Sequence, residues 1–286
     1  MKKLFIILGT VALLVGLGNS PATAQILDSP PVDGLFADAD GSGFVDTDPI
    51  EYPPLRKADL MWERRIWREI DFREKINHYF YYPLEPHNNW KSFMQIIMDG
   101  LKEGSITAYD ISATDEFLVP LTFQEVVGRQ VDTIHQLLQR PYPPYEEYDT
   151  VIYTDFDPSK VKRIRLKEDW FFDKQRSQIM VRIIGICPVM MKERDGEEVS
   201  EPLFWIYFPE ARPILAQWLI YNRFNDAMRL SYDDAFWKRI FNSYIYKESN
   251  VYDRRISEYA TGLDALYESE RIKYKLFEFE HDLWEF

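Results

Sequence analysis

The run Gln178–Met191 constrains the fold more than any other stretch. It is long, apolar and β-branched, a pattern that suits a strand. Before it, Ile164 and Leu166 alternate with Arg163, Arg165 and Lys167, the period of a half-buried strand. After it, Asp195-Gly196 supplies turn chemistry ahead of a second apolar run, Leu203–Phe208. Together these segments predict an antiparallel hairpin with a loose loop. Helical patterns lie on both sides of it in sequence. The expected class is α+β, with an antiparallel hairpin or small sheet flanked by several helices.

Residues 56–77 predict a helix, with Asp59 as its cap. At about 100° per residue, Trp62, Ile66, Ile70 and Trp67 share one stripe, while Arg64, Arg68 and Lys75 lie opposite. Arg65–Glu69 and Asp71–Lys75 are i,i+4 pairs, each contributing only ~0.2–0.5 kcal/mol. Asn89 is placed to cap a second helix, with Phe93, Ile96, Ile97 and Leu101 as its apolar face and Gly104 as its stop. Thr122 followed by Glu125 forms a capping box. It opens a helix through Val126, Val127, Val131, Ile134, Leu137 and Leu138, ended by Pro141. Residues 141–158 mix prolines, acids and aromatics and read as an internal linker or long loop. Pro213 suits a first helical position. Ser231 with Asp233 and Asp234 opens a helix carrying Phe236, Ile240 and Tyr244, and Thr261 with Asp264 opens the last one.

The first 24 residues read as a secretory signal: basic Lys2 and Lys3, an apolar stretch Leu4–Leu17, and Ala22-Thr23-Ala24 at a cleavage site. The apolar stretch is shorter than the ~20 residues of a bilayer span. No cysteine sits near the cleavage point, so no lipid of the chain's own is expected. Removing the signal takes the formal charge from −13 to −15. An acidic chain of this kind is a poor nucleic-acid binder, because phosphates demand positive surface. Residues 25–50, rich in Asp, Pro, Gly and Ser, read as a flexible acidic tail. The domain proper is then 51–286. Cys187 is the single cysteine, so no intrachain disulfide is possible, and its apolar surroundings make it a buried small hydrophobe.

The catalytic signatures are missing. The sequence holds no G-x-S-x-G, H-E-x-x-H, Walker loop or C-x-x-C. None of His78, His87, His135 and His281 has a second His or Cys at zinc-like spacing. The adjacent acids Asp233-Asp234 and Glu146-Glu147 diverge as chain neighbours, and the first pair suits a helix N-terminus. One metal motif stands out. Asp38, Asp40, Ser42 and Asp46 match positions 1, 3, 5 and 9 of an EF-hand loop, with Gly43 at the turn. The position that should carry a bidentate Glu is Pro49, and prolines replace the flanking helices. A calcium-dependent exported binding module is one alternative function; an exported hydrolase using convergent carboxylates is another. The Trp62/Trp67 stripe with Arg64 and Arg68 is either core or a partner-binding anchor, since Trp and Arg are enriched at interface hot spots.

Several blocks are more specific than any generic fold requires: YPPLRKADLMWERRIWREIDFREKIN with YYPLEP, EGSITAYD, IIGICPV, PLFWIYFPEARPILAQW, DDAFWKRIFNSYIYKESNVYDR, and GLDALYESERIK with FEFEHDLWEF. By these the chain resembles the GldN/PorN family of the type IX secretion and gliding machinery over Glu51–Phe286. The resemblance implies a non-enzymatic periplasmic component without a cofactor. It implies association with the outer membrane through a GldK/PorK-type lipoprotein, many copies joined in a hetero-oligomeric ring, and contact with the GldL–GldM (PorL–PorM) motor. It supplies no catalytic residues. The 25–50 segment lies outside it, so the calcium motif gains nothing from it.

Overall fold

The computed structural model describes residues 48–86, 90–112, 114–130, 133–139, 147–153, 157–194, 196–223, 225 and 228–283, with backbone alone for 130, 133–139, 147–153, 193–194 and 197. The central feature is an antiparallel sheet of eight strands, larger than the expected hairpin. Its core is a meander of β6 (Val161–Asp173) and β7 (Gln178–Arg194) with β1 (Leu60–Asp71) on the outer side of β6. Beyond β1 lies the edge strand β12 (Tyr244–Glu248). On the other side of β7 come β9 (Trp205–Tyr207), β2 (Ala108–Tyr109) and β3 (Pro120–Leu121), while β8 (Glu197–Pro202) pairs with the far end of β7. A separate two-stranded pair joins β10 (Leu219–Ile220) to β11 (Leu230–Ser231). The expected strands are therefore present. The turn at Gly196, at φ 83°, closes a tight β7–β8 hairpin rather than a loose loop, and Leu203–Phe208 contributes the short β9 further along β7.

Most of the predicted helix 56–77 is the strand β1, with only a short 3-10 turn at Lys75–Asn77. Trp62, Ile66 and Ile70 are four apart, a spacing that keeps side chains on one side in both a helix and a strand. The two readings differ at Trp67. Unbroken pairing with β6 from Trp62 to Asp71 puts Trp67 on the face opposite Ile66. The same alternation puts Arg64 and Arg68 on the side of Trp62, Ile66 and Ile70.

That side carries the helices. α1 (His78–Tyr81), α2 (Phe93–Glu103), α3 (Phe123–Gln130), α4 (Phe208–Gln217) and α5 (Tyr232–Trp237) enclose the main core with Ile70, Ile164, Leu166 and Ile186 of the sheet. Its centre is aromatic. The Phe236 ring lies 5.2 Å from Phe80, 5.8 Å from Phe93 and 5.3 Å from Phe208. α6 (Leu263–Asp282) covers the same side near the β12 edge, with Ile272 and Leu276 against Ile66 and Ile245. Buried Ser269 on α6 accepts the backbone N–H of Ile245 at 2.9 Å, so the helix satisfies a donor of the edge strand. Among the described residues no helix is long and apolar enough to cross a membrane.

The ends of the helices correct several expectations. Asn89 lies outside the described residues, and Ser92 caps α2 through a reciprocal box with Gln95; Gly104 closes the helix in the left-handed region, as expected. The Thr122–Glu125 box is present, but α3 stops at Gln130. The backbone then forms a hairpin of β4 (Thr133–Gln139) with β5 (Glu147–Tyr153), so part of the expected loop 141–158 is a strand. β-Branched Thr133 and Ile134 face a run rich in Tyr, Thr, Val and Ile, which favours extended pairing over a longer helix. Pro213 lies inside α4, whose first turn holds Pro209 instead. Ser231 caps α5 through Asp234, as expected, but α5 ends at Trp237 and Tyr244 belongs to β12. Arg239 ends α5 at φ 53° with paired bonds from Arg239 N to Phe236 O and from Ile240 N to Ala235 O, the Schellman pattern. α6 begins after Gly262, and the Thr261 backbone carbonyl, not its side chain, receives Asp264 N–H.

Candidate functional site

The side of the sheet away from the helices is charged, and its order follows from antiparallel register. Glu63, Arg65, Trp67, Glu69 and Asp71 of β1 stand beside Asp169, Lys167, Arg165 and Arg163 of β6, so opposite charges meet across the strands. Arg65 donates to both Asp169 oxygens, at 2.6 and 2.9 Å. Glu69 accepts from Arg163 at 3.1 Å, from Arg165 at 2.9 Å and from the Tyr244 hydroxyl. Arg163 also reaches Asp71, at 3.3 Å. Arg163, Arg165 and Lys167, the basic residues that alternate with Ile164 and Leu166, are thus held in ion pairs with Glu69 and Asp115.

One loop lies across this face. Asp115 accepts Trp67 Nε1–H at 2.6 Å, and its backbone carbonyl accepts Lys167 Nζ at 2.7 Å. Two residues on, Phe117 stands at φ 57° among the rings of Tyr109, Trp205 and Tyr207. It fills the space left by Gly185, where a Cβ would come 2.5 Å from Phe117 Cζ and 3.2 Å from Trp205 Cε3. Gly185→Ala should therefore lower stability by about 1–3 kcal/mol, the usual cost of overpacking. An unchanged urea midpoint would show that the loop is not seated there.

Between this loop and β12 is a cleft of about 520 Å³, walled by Trp67 and Trp205 and bordered by Arg65, Arg165, Lys247 and Asp253. Lys247 Nζ sits 4.4 Å from the centre of the Trp67 ring and 2.6 Å from Asp253. Cys187 lies at its base, fully buried, with its thiol pushed up to about 12, chiefly by that burial. Such a thiol is protonated and unreactive at neutral pH.

The helix side holds the most buried ionic group. Glu168 accepts from Arg68 Nε at 3.0 Å, Arg239 Nη1 at 2.8 Å and Trp170 Nε1 at 3.0 Å. Burial works most strongly against its charge, but Arg239 and then Arg68 outweigh it and hold the carboxyl below its ordinary range. Asp71 follows the same pattern, with burial opposed and outweighed by Arg73. A depressed carboxylate pKa contributes stability above its unfolded value, ~4.3 for Glu, and loses it as pH falls through the folded value. Tm should therefore be flat from neutral pH to about pH 6 and fall in acid. A Tm that rises on acidification to about pH 4 would contradict these assignments.

These carboxylates are ionised structural partners, unlike the raised, convergent pair that acid–base hydrolysis requires. Among the described residues no cluster of His, Cys, Asp and Glu is placed to hold a metal ion. Asp38, Asp40, Ser42 and Asp46 lie outside the described residues. The four residues expected at an interface are divided between environments. Trp67 is 7% exposed and joined to Cys187 and Trp205. Arg68 is buried on Glu168. Trp62 is half-buried, its ring 4.6 Å from Phe279 of α6, and half-buried Arg64 pairs with Glu248 at 3.1 Å. Asp115, Glu168 and Arg239, on which these residues depend, carry no local signal in the sequence. The sequence signal for the charge ladder was the contrast of Glu69 and Asp71 with the basic run Arg163, Arg165 and Lys167.

Among the described residues these contacts tie strands and helices together, and sequence family decides the next step. The family model described as gliding motility associated protein GldN matches residues 55–285. The chain belongs to the GldN family. No curated protein sequence matches it significantly. Its β-sheet, its helix layer and the charged face all fall inside the GldN match, whereas the EF-hand-like loop falls before it. As a GldN-family member the chain is a gliding-motility-associated protein, and the family is not a known enzyme family.

Proposed function

We propose that the chain is a non-enzymatic periplasmic component of the type IX secretion machinery, held at the outer membrane by a GldK/PorK-type lipoprotein. Copies of the two proteins build a ring, and the ring meets the GldL–GldM (PorL–PorM) motor to serve protein secretion and, in gliding species, motility. The observation that carries this reading is the GldN match across 55–285. A sheet tied by cross-strand ion pairs and covered by an aromatic core suits a part that transmits load rather than one that opens and closes. Each contact around a ring can be modest, because many copies add avidity.

Co-expression of the chain with its lipoprotein partner tests this, followed by size-exclusion chromatography and negative-stain imaging. The expected result is co-elution as a large ring. A monomer that ignores the lipoprotein would overturn the assembly reading.

A further inference from the structure

α6 carries two apolar seams, and the sheet uses one of them. Ala265, Ser269, Ile272, Leu276 and Phe279 follow a 4-3-4-3 spacing and face the sheet, with Ile272 and Leu276 buried. Leu263, Tyr267, Glu270, Tyr274, Phe277 and His281 follow a 4-3-4-3-4 spacing on the opposite side. Four of these six are large apolar or aromatic residues, and they are 70%, 69%, 59% and 60% exposed at 263, 267, 274 and 277. Leu266 beside them is 53% exposed. A surface helix normally shows one apolar stripe with a polar face opposite it. A second seam with a repeat of about 3.5 residues is the pattern by which one helix packs against another.

The charges flanking the seam specify its occupant. α6 contains Asp264, Glu268, Glu270, Glu278, Glu280 and Asp282 against Arg271, Lys273 and Lys275. Arg271 is already held by Glu268, and Lys273 lies 3.6 Å from Glu270. Asp264, Glu278 and Glu280 border the seam with no ion pair among the described residues. A second copy packed antiparallel would bring Asp264 against Glu278 and Glu280, and the chain as a whole carries −13. The chain's own 25–50 segment has six aspartates and no Lys or Arg, so it is repelled for the same reason. An anionic membrane is repelled as well, since helices that lie on such surfaces carry Lys and Arg.

We infer that the outer seam of α6 docks an amphipathic helix of another protein, with apolar residues at 3–4 spacing flanked by Lys and Arg. The seam is a property of α6 alone, and the inference stands whether or not the chain builds a ring.

Two synthetic helical peptides of about three heptads supply the probe, identical in an all-Leu seam, one flanked by Lys/Arg and one by Glu. Binding to the full chain is followed by fluorescence anisotropy. The expected result is that the basic peptide binds and the acidic one binds at least about tenfold more weakly. Tyr274→Ser with Phe277→Ser should abolish binding without moving the thermal melt, because both side chains are exposed. Reversing Asp264, Glu278 and Glu280 to Lys should switch the preference to the acidic peptide, an outcome that no merely structural role of these residues produces. No binding of the basic peptide, equal binding of both, or binding indifferent to the Tyr274/Phe277 change would each overturn the inference. So would a concentration-dependent dimer of the chain that the same double change dissolves, since the occupant would then be a second copy. Ring formation by the unaltered chain together with no binding of the basic peptide to it would refute this docking and leave the ring reading intact.

Discussion

Glu168→Gln should destabilise the domain by about 3–5 kcal/mol, the usual result of removing one partner from a buried ion pair. In a domain of this size that corresponds to a Tm lower by on the order of 10 °C. The Glu168 side chain is fully buried and serves two guanidinium groups at once. Gln keeps the shape and loses the charge. Its amide nitrogen would face a guanidinium donor, and Arg68 would stay in the interior without a counter-charge, while half-buried Arg239 would lose its partner too. Arg68 has no route to solvent at 5% exposure. The Arg239 backbone is fixed in the left-handed region by the end of α5, which limits how far its side chain can withdraw. Both guanidiniums lie over Trp170, at 5.3 and 5.4 Å, and this ring attraction offsets only part of the lost charge. Chemical denaturation of the single variant measures the cost. The triple change Arg68→Met, Glu168→Leu, Arg239→Gly should recover most of it, because an ion triad replaced as a unit leaves no orphan. A single variant within a few tenths of a kcal/mol of the parent would mean that water reaches the triad.

The same triad explains why the sequence misled at β1. A stripe of Trp62, Ile66 and Ile70 fits either period. The strand reading requires Arg64 and Arg68 to share a face with three large apolar residues. Nothing local makes that acceptable; Glu168 and Glu248, from distant parts of the chain, do. Helix propensity also favoured the wrong answer, since Leu, Met, Arg and Glu dominate the segment and tertiary pairing overrides such preferences. The strands β6 and β7 were legible because alternation and β-branching agree there. The end of α2 and the starts of α3 and α5 were legible because Gly, Thr and Ser act through short-range bonds; the start of α2 was not, its cap being Ser92 rather than Asn89. The end of α5 was not, because the left-handed position that usually holds Gly holds Arg239, drawn to Glu168. The charged face was half legible. The acids of β1 and the basic run of β6 are in the sequence, but the register that sets Arg65 beside Asp169 and Glu69 beside Arg165 is a property of the sheet. The loop residue Asp115, which joins Trp67 to Lys167, has no signature at all.

Phe236→Ala should cost about 3–5 kcal/mol, the range for truncating a fully buried Phe. Phe236 is 1% exposed and stands where α1, α2 and α4 converge, through Phe80, Phe93 and Phe208. α5 supplies this ring from a helix of six residues, too short to be stable without packing. Its capping box at Ser231 and its Arg212–Asp233 pair, at 2.8 and 2.9 Å, hold it in place, but both lie at its N-terminal end. Removing the ring opens a cavity between four helices whose own side chains are already in contact, so little can collapse into it. Phe236→Leu fills most of the volume and should cost less than about 1.5 kcal/mol. Tyr274→Ala, on the exposed seam of α6, should stay within about 0.5 kcal/mol of the parent. The three variants, compared by urea denaturation, separate two uses of aromatic residues in a chain that has many: rings that hold the helices on the sheet, and rings left outside for another protein to cover. Equal losses for Phe236→Ala and Tyr274→Ala would erase that distinction and with it the reading of α6 as a docking helix.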